Sequence, residues 1–186
     1  MRYIALLRGI NVGGNTKVSM PELKQVFSDL GLENVVTYIN SGNVAFDADK
    51  MEKSARGKVP GSGEGHLVNK IERAIESHFK LPIQVMVREQ TAIERILQNN
   101  PFDGEFESHK EMHVLFMKDE MPEVKQAQLL EKQTDNERFA ILGREIYCHL
   151  RLGVTDSLLG KGFIEKKLKV PITARNWRTV QRLAEL

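Results

Sequence analysis

The sequence predicts an α+β protein made of two ferredoxin-like halves of βαββα type, mostly antiparallel sheets packed with helices and followed by extra C-terminal helices. Three observations lead there. Residues 2–88 alternate apolar strand-like runs with amphipathic helical runs in the order β-α-β-β-α-β. Much of that order recurs from residue 112, with element starts displaced by about 101–110 residues. A chain of 186 residues, 41% hydrophobic and 28% charged, has room for one domain or two half-domains, burying roughly 70% of its unfolded surface.

Residues 2–8 (RYIALLR) read as a short, almost wholly apolar strand, and the glycine- and asparagine-rich GINVGGNTKV after them as a loop. Ser19 with Glu22 three positions on is a capping box, Pro21 fits the first turn, and Leu23, Val26, Phe27 and Leu30 form the apolar stripe of the helix that follows. Gly31 supplies its left-handed stop. VVTYIN (35–40), the turn Ser41-Gly42-Asn43 and VAF (44–46) make a β-hairpin. Both alternating sets of strand 2–8, Tyr3/Ala5/Leu7 and Ile4/Leu6, are apolar, so this sheet is expected to be covered on both faces.

Residues 47–65 carry no periodic apolar pattern and are rich in Gly, Ser, Lys and acids, which marks a mobile surface insertion. Behind it Leu67, Ile71, Ala74, Ile75 and Phe79 recur at helical spacing, and IQVMVR (83–88) is strand-like. Thr91 and Glu94 form a second capping box ahead of a short helix, followed by the turn-prone NNPFDGEFE. The second half runs as strand 112–117, helix 122–132 opening at Pro122, strand 138–142, a Gly143 turn and strand 145–150. Two helices at 156–169 and 174–185, the latter capped by Thr173, are expected to replace helix plus final strand. The resulting division is 1–88 as N-terminal half, 89–111 as connecting helix and loop, and 112–186 as a second α/β half with basic C-terminal helices.

Several classes drop out. The first apolar stretch ends at Arg8, too short for a signal-peptide core, and nothing approaches the ~20 apolar residues of a membrane span, so the expectation is a cytoplasmic protein with no membrane partner. The single cysteine, Cys148, forbids an internal disulfide and alternates with Ile146 and Leu150 along a strand, which reads as core packing. The five histidines are scattered, and His109 and His113 do not share a helix face, so no metal and no cofactor is assigned.

The chemistry that remains sits at one sheet edge. In an antiparallel sheet of this order the end of the first strand and the hairpin between the second and third lie side by side, which gathers Arg8, Asn11, Gly13, Gly14, Lys17, Ser41, Gly42 and Asn43 without a carboxylate. Glycines there let backbone N–H groups approach an anion, and Arg8 offers a planar fork to phosphate or carboxylate. Neither nucleotide motif is present: Asn15-Thr16 stands where a P-loop needs Lys-Ser/Thr, and Asn11 takes the place of the second glycine of G-x-G-x-x-G. The reading is a small anionic or phosphorylated metabolite, a nucleotide or sugar phosphate, bound between loops 9–19 and 40–43, whether or not a reaction follows. Two alternatives stand beside it. Residues 161–186 hold seven Lys/Arg against two Glu, a net +5 that leaves −3 for the rest, so Arg175, Arg178 and Arg182 could meet RNA or single-stranded DNA. An RRM-like platform would use Tyr3 and Phe46. The third reading is a protein-interaction or homodimeric module.

Together LLRGINVGG (6–14), TYINSGNVAF (37–46), VMVR (85–88), NPF (100–102) and TARNWRTVQRL (173–183) resemble the bacterial family catalogued as domain of unknown function 1697. The resemblance runs across nearly the whole chain, leaving 53–65 outside the signature. It implies a compact α/β protein in which Arg8, Asn11, Gly13, Gly14, Ser41, Gly42, Asn43, Arg88, Asn100, Arg175, Asn176 and Trp177 belong to signature segments. It implies no activity, and no catalytic role is carried over.

Overall fold

A computed structural model describes residues 1–13, 16–49 and 63–186. The chain folds as two compact units, Met1–Ile93 with Leu186 and Glu94–Glu185, each built around a four-stranded antiparallel sheet.

In the first unit β1 (Arg2–Leu7), α1 (Met20–Asp29), β2 (Glu33–Tyr38), β3 (Asn43–Asp47), α2 (Gly63–Phe79) and β4 (Val85–Glu89) follow one another, and α3 (Gln90–Gln98) starts directly from β4. The strand order is β2-β3-β1-β4, with the apolar β1 in the interior. Register places Tyr3 against Phe46, Ala5 against Val44 and Val87, and Leu7 against Val85. These residues form one core with Leu23, Val26 and Phe27 of α1 and Leu67, Ile71 and Ile75 of α2. Ile4, Leu6, Ala45, Met86 and Arg88 of the opposite face are buried as well, as the two-sided apolar pattern of β1 requires. Residues 50–62, most of the expected insertion, lie outside the described residues; its two ends are regular, since β3 runs to Asp47 and α2 begins at Gly63.

Local chemistry explains the boundaries. Ser19 caps α1 as expected, its Oγ accepting from the Glu22 N–H at 3.5 Å, but the reciprocal half of the box is diverted: the Glu22 carboxylate meets His78 Nε2 at 3.2 Å. Thr91 is the second residue of α3 and does not precede it, because the backbone passes from β4 into the helix at Gln90 with no intervening loop.

The second unit repeats the scheme with β5 (Met112–Met117), α4 (Glu123–Leu130), β6 (Glu137–Leu142), β7 (Glu145–Leu150), α5 (Phe163–Lys166), β8 (Ile172–Asn176) and α6 (Trp177–Ala184), in the strand order β6-β7-β5-β8. Its core joins Leu115, Met117, Ile146, Cys148, Leu150 and Phe139 to Leu129 of α4 and Ile164 of α5. Here the sequence expectation needs correction. The stretch 156–169 is mostly turns around a four-residue helix, and 172–176 is a strand paired with β5. Asn176, not Thr173, caps the last helix, its Oδ1 accepting from the Thr179 N–H at 2.9 Å. Thr173 is buried in β8 instead, so the second half ends as the first does, with a strand followed at once by a helix.

Candidate functional site

The two loops expected to meet do meet. The Leu7 N–H donates to the Gly42 carbonyl at 2.8 Å, which brings the 39–42 turn against the end of β1. Asn11, held at φ 55°, a conformation asparagine tolerates better than most residues, ties the loops together. Its Nδ2 donates to Val18 O at 3.0 Å and Asn40 O at 2.8 Å, and its Oδ1 accepts from the Val18 N–H at 2.9 Å. One side chain thereby closes its own loop and fastens it to the hairpin.

Other expected site residues turn out to build the scaffold. Asn43 is fully buried, and its amide donates to Tyr38 O at 2.9 Å and Ser41 Oγ at 3.1 Å, closing the hairpin. Gly42, at φ 79°, packs its α-carbon onto Leu7 and Ile10. Arg8 is half-buried on the β4 side of the strand end, where its Nη1 reaches Gln84 Oε1 at 3.3 Å and its N–H reaches Gln84 O. Gly13 is exposed in the left-handed region, and Gly14 lies outside the described residues.

What the loops enclose is an open cleft of about 690 Å³ lined by Asn11, Lys17, Val18, Ser19, Met20, Pro21, Glu22, Asn40 and Phe79. Of the expected residues, Asn11 and Lys17 reach it. Ser19, Asn40 and Glu22 are additions; the cap Ser19 was legible as a helix start but not as a cleft wall. Lys17 is exposed and forms no ion pair among the described residues. The cleft opens at the N-terminus of α1, whose aligned peptide dipoles favour negative charge. Pro21 has no N–H and Ser19 already holds that of Glu22, so the helix contributes its field rather than a nest of free donors. Glu22 places one carboxylate on the same wall, beside His78.

Of the three arginines of the alternative nucleic-acid reading, Arg175 is buried and the other two are exposed. Arg175 is 5% exposed, its Nη1 donating to Thr173 Oγ1 and Ala174 O at 2.8 Å, and burial lowers its pKa to about 10. Arg178 is exposed, and Arg182 pairs with Glu185 at 2.7 Å. Tyr3 and Phe46 are buried and stack on each other with ring centroids 5.8 Å apart, so they cannot receive bases. Among the histidines, His149 lies on the sheet face opposite Cys148 as expected, its ring buried without a hydrogen-bond partner among the described residues and the Glu111 carboxylate 3.8 Å from Nε2. No group of three or more metal-ligating side chains occurs among the described residues, and no helix there is long and apolar enough to cross a membrane.

Fold and site thus define an α+β protein of two four-stranded antiparallel units with a polar cleft where strand-end loops meet. The chain belongs to the family described as protein of unknown function (DUF1697), whose model matches residues 1–147. It is similar to the solved structure of the conserved bacterial protein SP0830 from Streptococcus pneumoniae, with 26% identity and a TM-score of 0.75 over 99% of this chain and 97% of that one. No curated protein matches it.

Proposed function

We propose that the cleft beside loops 9–19 and 40–43 binds a small anionic or phosphorylated metabolite, in a protein of the cytoplasm. The observation that carries the reading is the convergence of Lys17, Ser19, Asn11 and Asn40 on one open cleft of about 690 Å³, within the ~300–1,000 Å³ usual for small-ligand sites. Lys17 supplies the charge. Ser19 and the field of α1 orient the anion, and the Asn11 bridge keeps the two walls at fixed spacing. Arg8, engaged with Gln84, supports the strand end and is not the principal contact. Glu22, also in the cleft lining, would accept a hydrogen bond from a ligand hydroxyl or amine, and so favours nucleotides and sugar phosphates over inorganic phosphate.

The test is calorimetric titration of wild type, Lys17→Met and Arg8→Ala with a panel of nucleotides and sugar phosphates. A ligand that binds wild type and Arg8→Ala alike, and Lys17→Met about tenfold or more weakly, the loss expected for one charge-assisted contact, supports the reading. Absence of binding to wild type across the panel, or equal binding by Lys17→Met, refutes it.

A further inference from the structure

We infer that the outer face of α2 carries a second anion site, distinct from the α1 cleft, for a ligand with neighbouring phosphate groups. A cleft of about 670 Å³ is lined by Leu30, His66, Asn69, Lys70, Arg73 and Ala74. The α2 residues among these fall at i, i+3, i+4, i+7 and i+8, the spacing that puts side chains on one face of a helix. Every polar member of the set can donate a hydrogen bond, two are permanent cations, and no carboxylate is present.

None of the helix's three acids, Glu64, Glu72 and the exposed Glu76, is in the lining of this cleft. Glu72 accepts from the Val85 N–H at 2.9 Å, and Glu64 is buried and accepts from the Glu89 N–H at 3.2 Å. Lys70 and Arg73 are like charges three residues apart, an arrangement that disfavours an isolated helix; an anion between them removes that repulsion.

The donors are also prepared. Lys70 Nζ donates to Leu30 O at 2.8 Å, the carbonyl that ends α1, so the ammonium is anchored and keeps two further N–H groups. The side chains of His66, Asn69 and Arg73 have no hydrogen-bond or ion-pair partner among the described residues, and the Arg73 guanidinium brings five donors in a planar fork. From position 66 to 73 the helix rises ~10 Å, so the hydrogen-bond donors, with the two cations toward one end, are spread along a line that suits two adjacent phosphates better than one. Leu30 and Ala74 give the cleft an apolar floor against which the rest of such a ligand would lie.

The experiment is a titration of the isotopically labelled full chain with inorganic pyrophosphate, followed by amide and histidine-ring NMR shifts. The expected result is saturable shifts at residues 66–74 that persist in Lys17→Met and weaken about tenfold or more in the double variant Lys70→Gln, Arg73→Gln. Asn69→Asp, which sets a carboxylate one turn from Arg73 and leaves the cations in place, is expected to weaken the same response and serves if the double variant does not fold. Pyrophosphate shifts that fail to saturate at residues 66–74, that disappear with Lys17→Met, or that are unchanged in the folded α2 variants would overturn the inference. Because Lys17→Met reports on the α1 cleft and the α2 variants on this one, the two readings stand or fall separately.

Discussion

Replacing Gly42 with alanine probes the geometry that joins the two loops. The residue sits at φ 79°, and a methyl built on it would lie 2.7 Å from Leu7 Cβ and 2.7 Å from Ile10 Cδ1. Ile10 ends in a rotatable group that can give way; Leu7 Cβ is fixed to β1 and cannot. Adopting the left-handed conformation with a Cβ costs ~1–2 kcal/mol, and forcing a methyl into packed surroundings costs a further ~1–3 kcal/mol. Gly42→Ala is therefore expected to lose ~2–5 kcal/mol. Gly31→Ala is the control in the same unit, since Gly31 has φ 76° with nothing within 4 Å of the added Cβ; it should lose only the backbone part. In urea titrations followed by far-ultraviolet circular dichroism, with a slope of ~2 kcal/mol/M, the Gly42 midpoint should fall below the Gly31 midpoint by roughly 0.5–1.5 M. Equal midpoints for the two variants would refute the claim that the hairpin packs its backbone onto Leu7 and Ile10. The consequence reaches the cleft, because Gly42 O receives the Leu7 N–H and the same turn presents Asn40 to Asn11.

Three further outcomes are expected. Burial, aided by His109, lowers the pKa of His113 from 6.5 to about 4. The unfolded chain therefore binds one more proton than the folded protein between those values. Stability should drop on acidification from about pH 6.5 to about 4, by at most ~1.4 kcal/mol per pH unit from this group, and level off below; His113→Gln melted across the same range should show a shallower fall, and an unchanged pH profile would count against it. Cys148 is fully buried, with its thiol pKa raised by burial and by Glu137, so Ellman's reagent should label no thiol in the native protein and one after denaturation; rapid native labelling would contradict the packing. Arg175→Met should lower stability by about 2 kcal/mol through the lost bonds to Thr173 and Ala174, the scale of a hydrogen bond to a charged group. A variant that melted with wild type yet lost salt-sensitive oligonucleotide binding would show that Arg175 serves an exposed nucleic-acid surface after all.

Local signals carried most of the fold. The Ser19 cap, the Gly143 turn and the strands at 112–117 and 145–150 were readable because each rests on neighbours in sequence. The last thirty or so residues are harder. Trp177, Val180 and Leu183 have helical spacing, and that period extends backward through TARN, so periodicity alone makes β8 the start of a helix. The contrary sign was present: Pro171 before a short run with Ile172 on one face and Thr173 and Arg175 on the other. An arginine at an inward position is scored as polar by any periodicity argument, which hides the strand. The site was half legible for a similar reason. Topology brings the 9–19 and 39–42 loops together, as reasoned from strand order, but whether Asn43 or Arg8 faces solvent depends on which neighbour takes its donors, and Gln84 and Tyr38 are set by packing. The basic face of α2 has the same helical spacing as its apolar face, but hydrophobic periodicity marks only the side of Leu67, Ile71 and Ile75.

Arg88 and Arg175 show what kind of likeness the two units share. Each is the fourth residue of its unit's last strand, and each strand passes without a loop into a helix. Each arginine is nearly inaccessible, at 2% and 5%, and each returns Nη1 to the carbonyl of the residue before it, Val87 O at 2.9 Å and Ala174 O at 2.8 Å. Burying a guanidinium is costly unless its donors are satisfied, and strand propensity gives no reason to do it once, still less in the same place twice. The residues that precede the two positions differ, Val-Met-Val against Ile-Thr-Ala. What the two units have in common is therefore backbone connectivity and a polar anchor at the strand-to-helix junction, a combination that hydrophobic pattern matching detects as a similar order of elements and cannot register residue by residue.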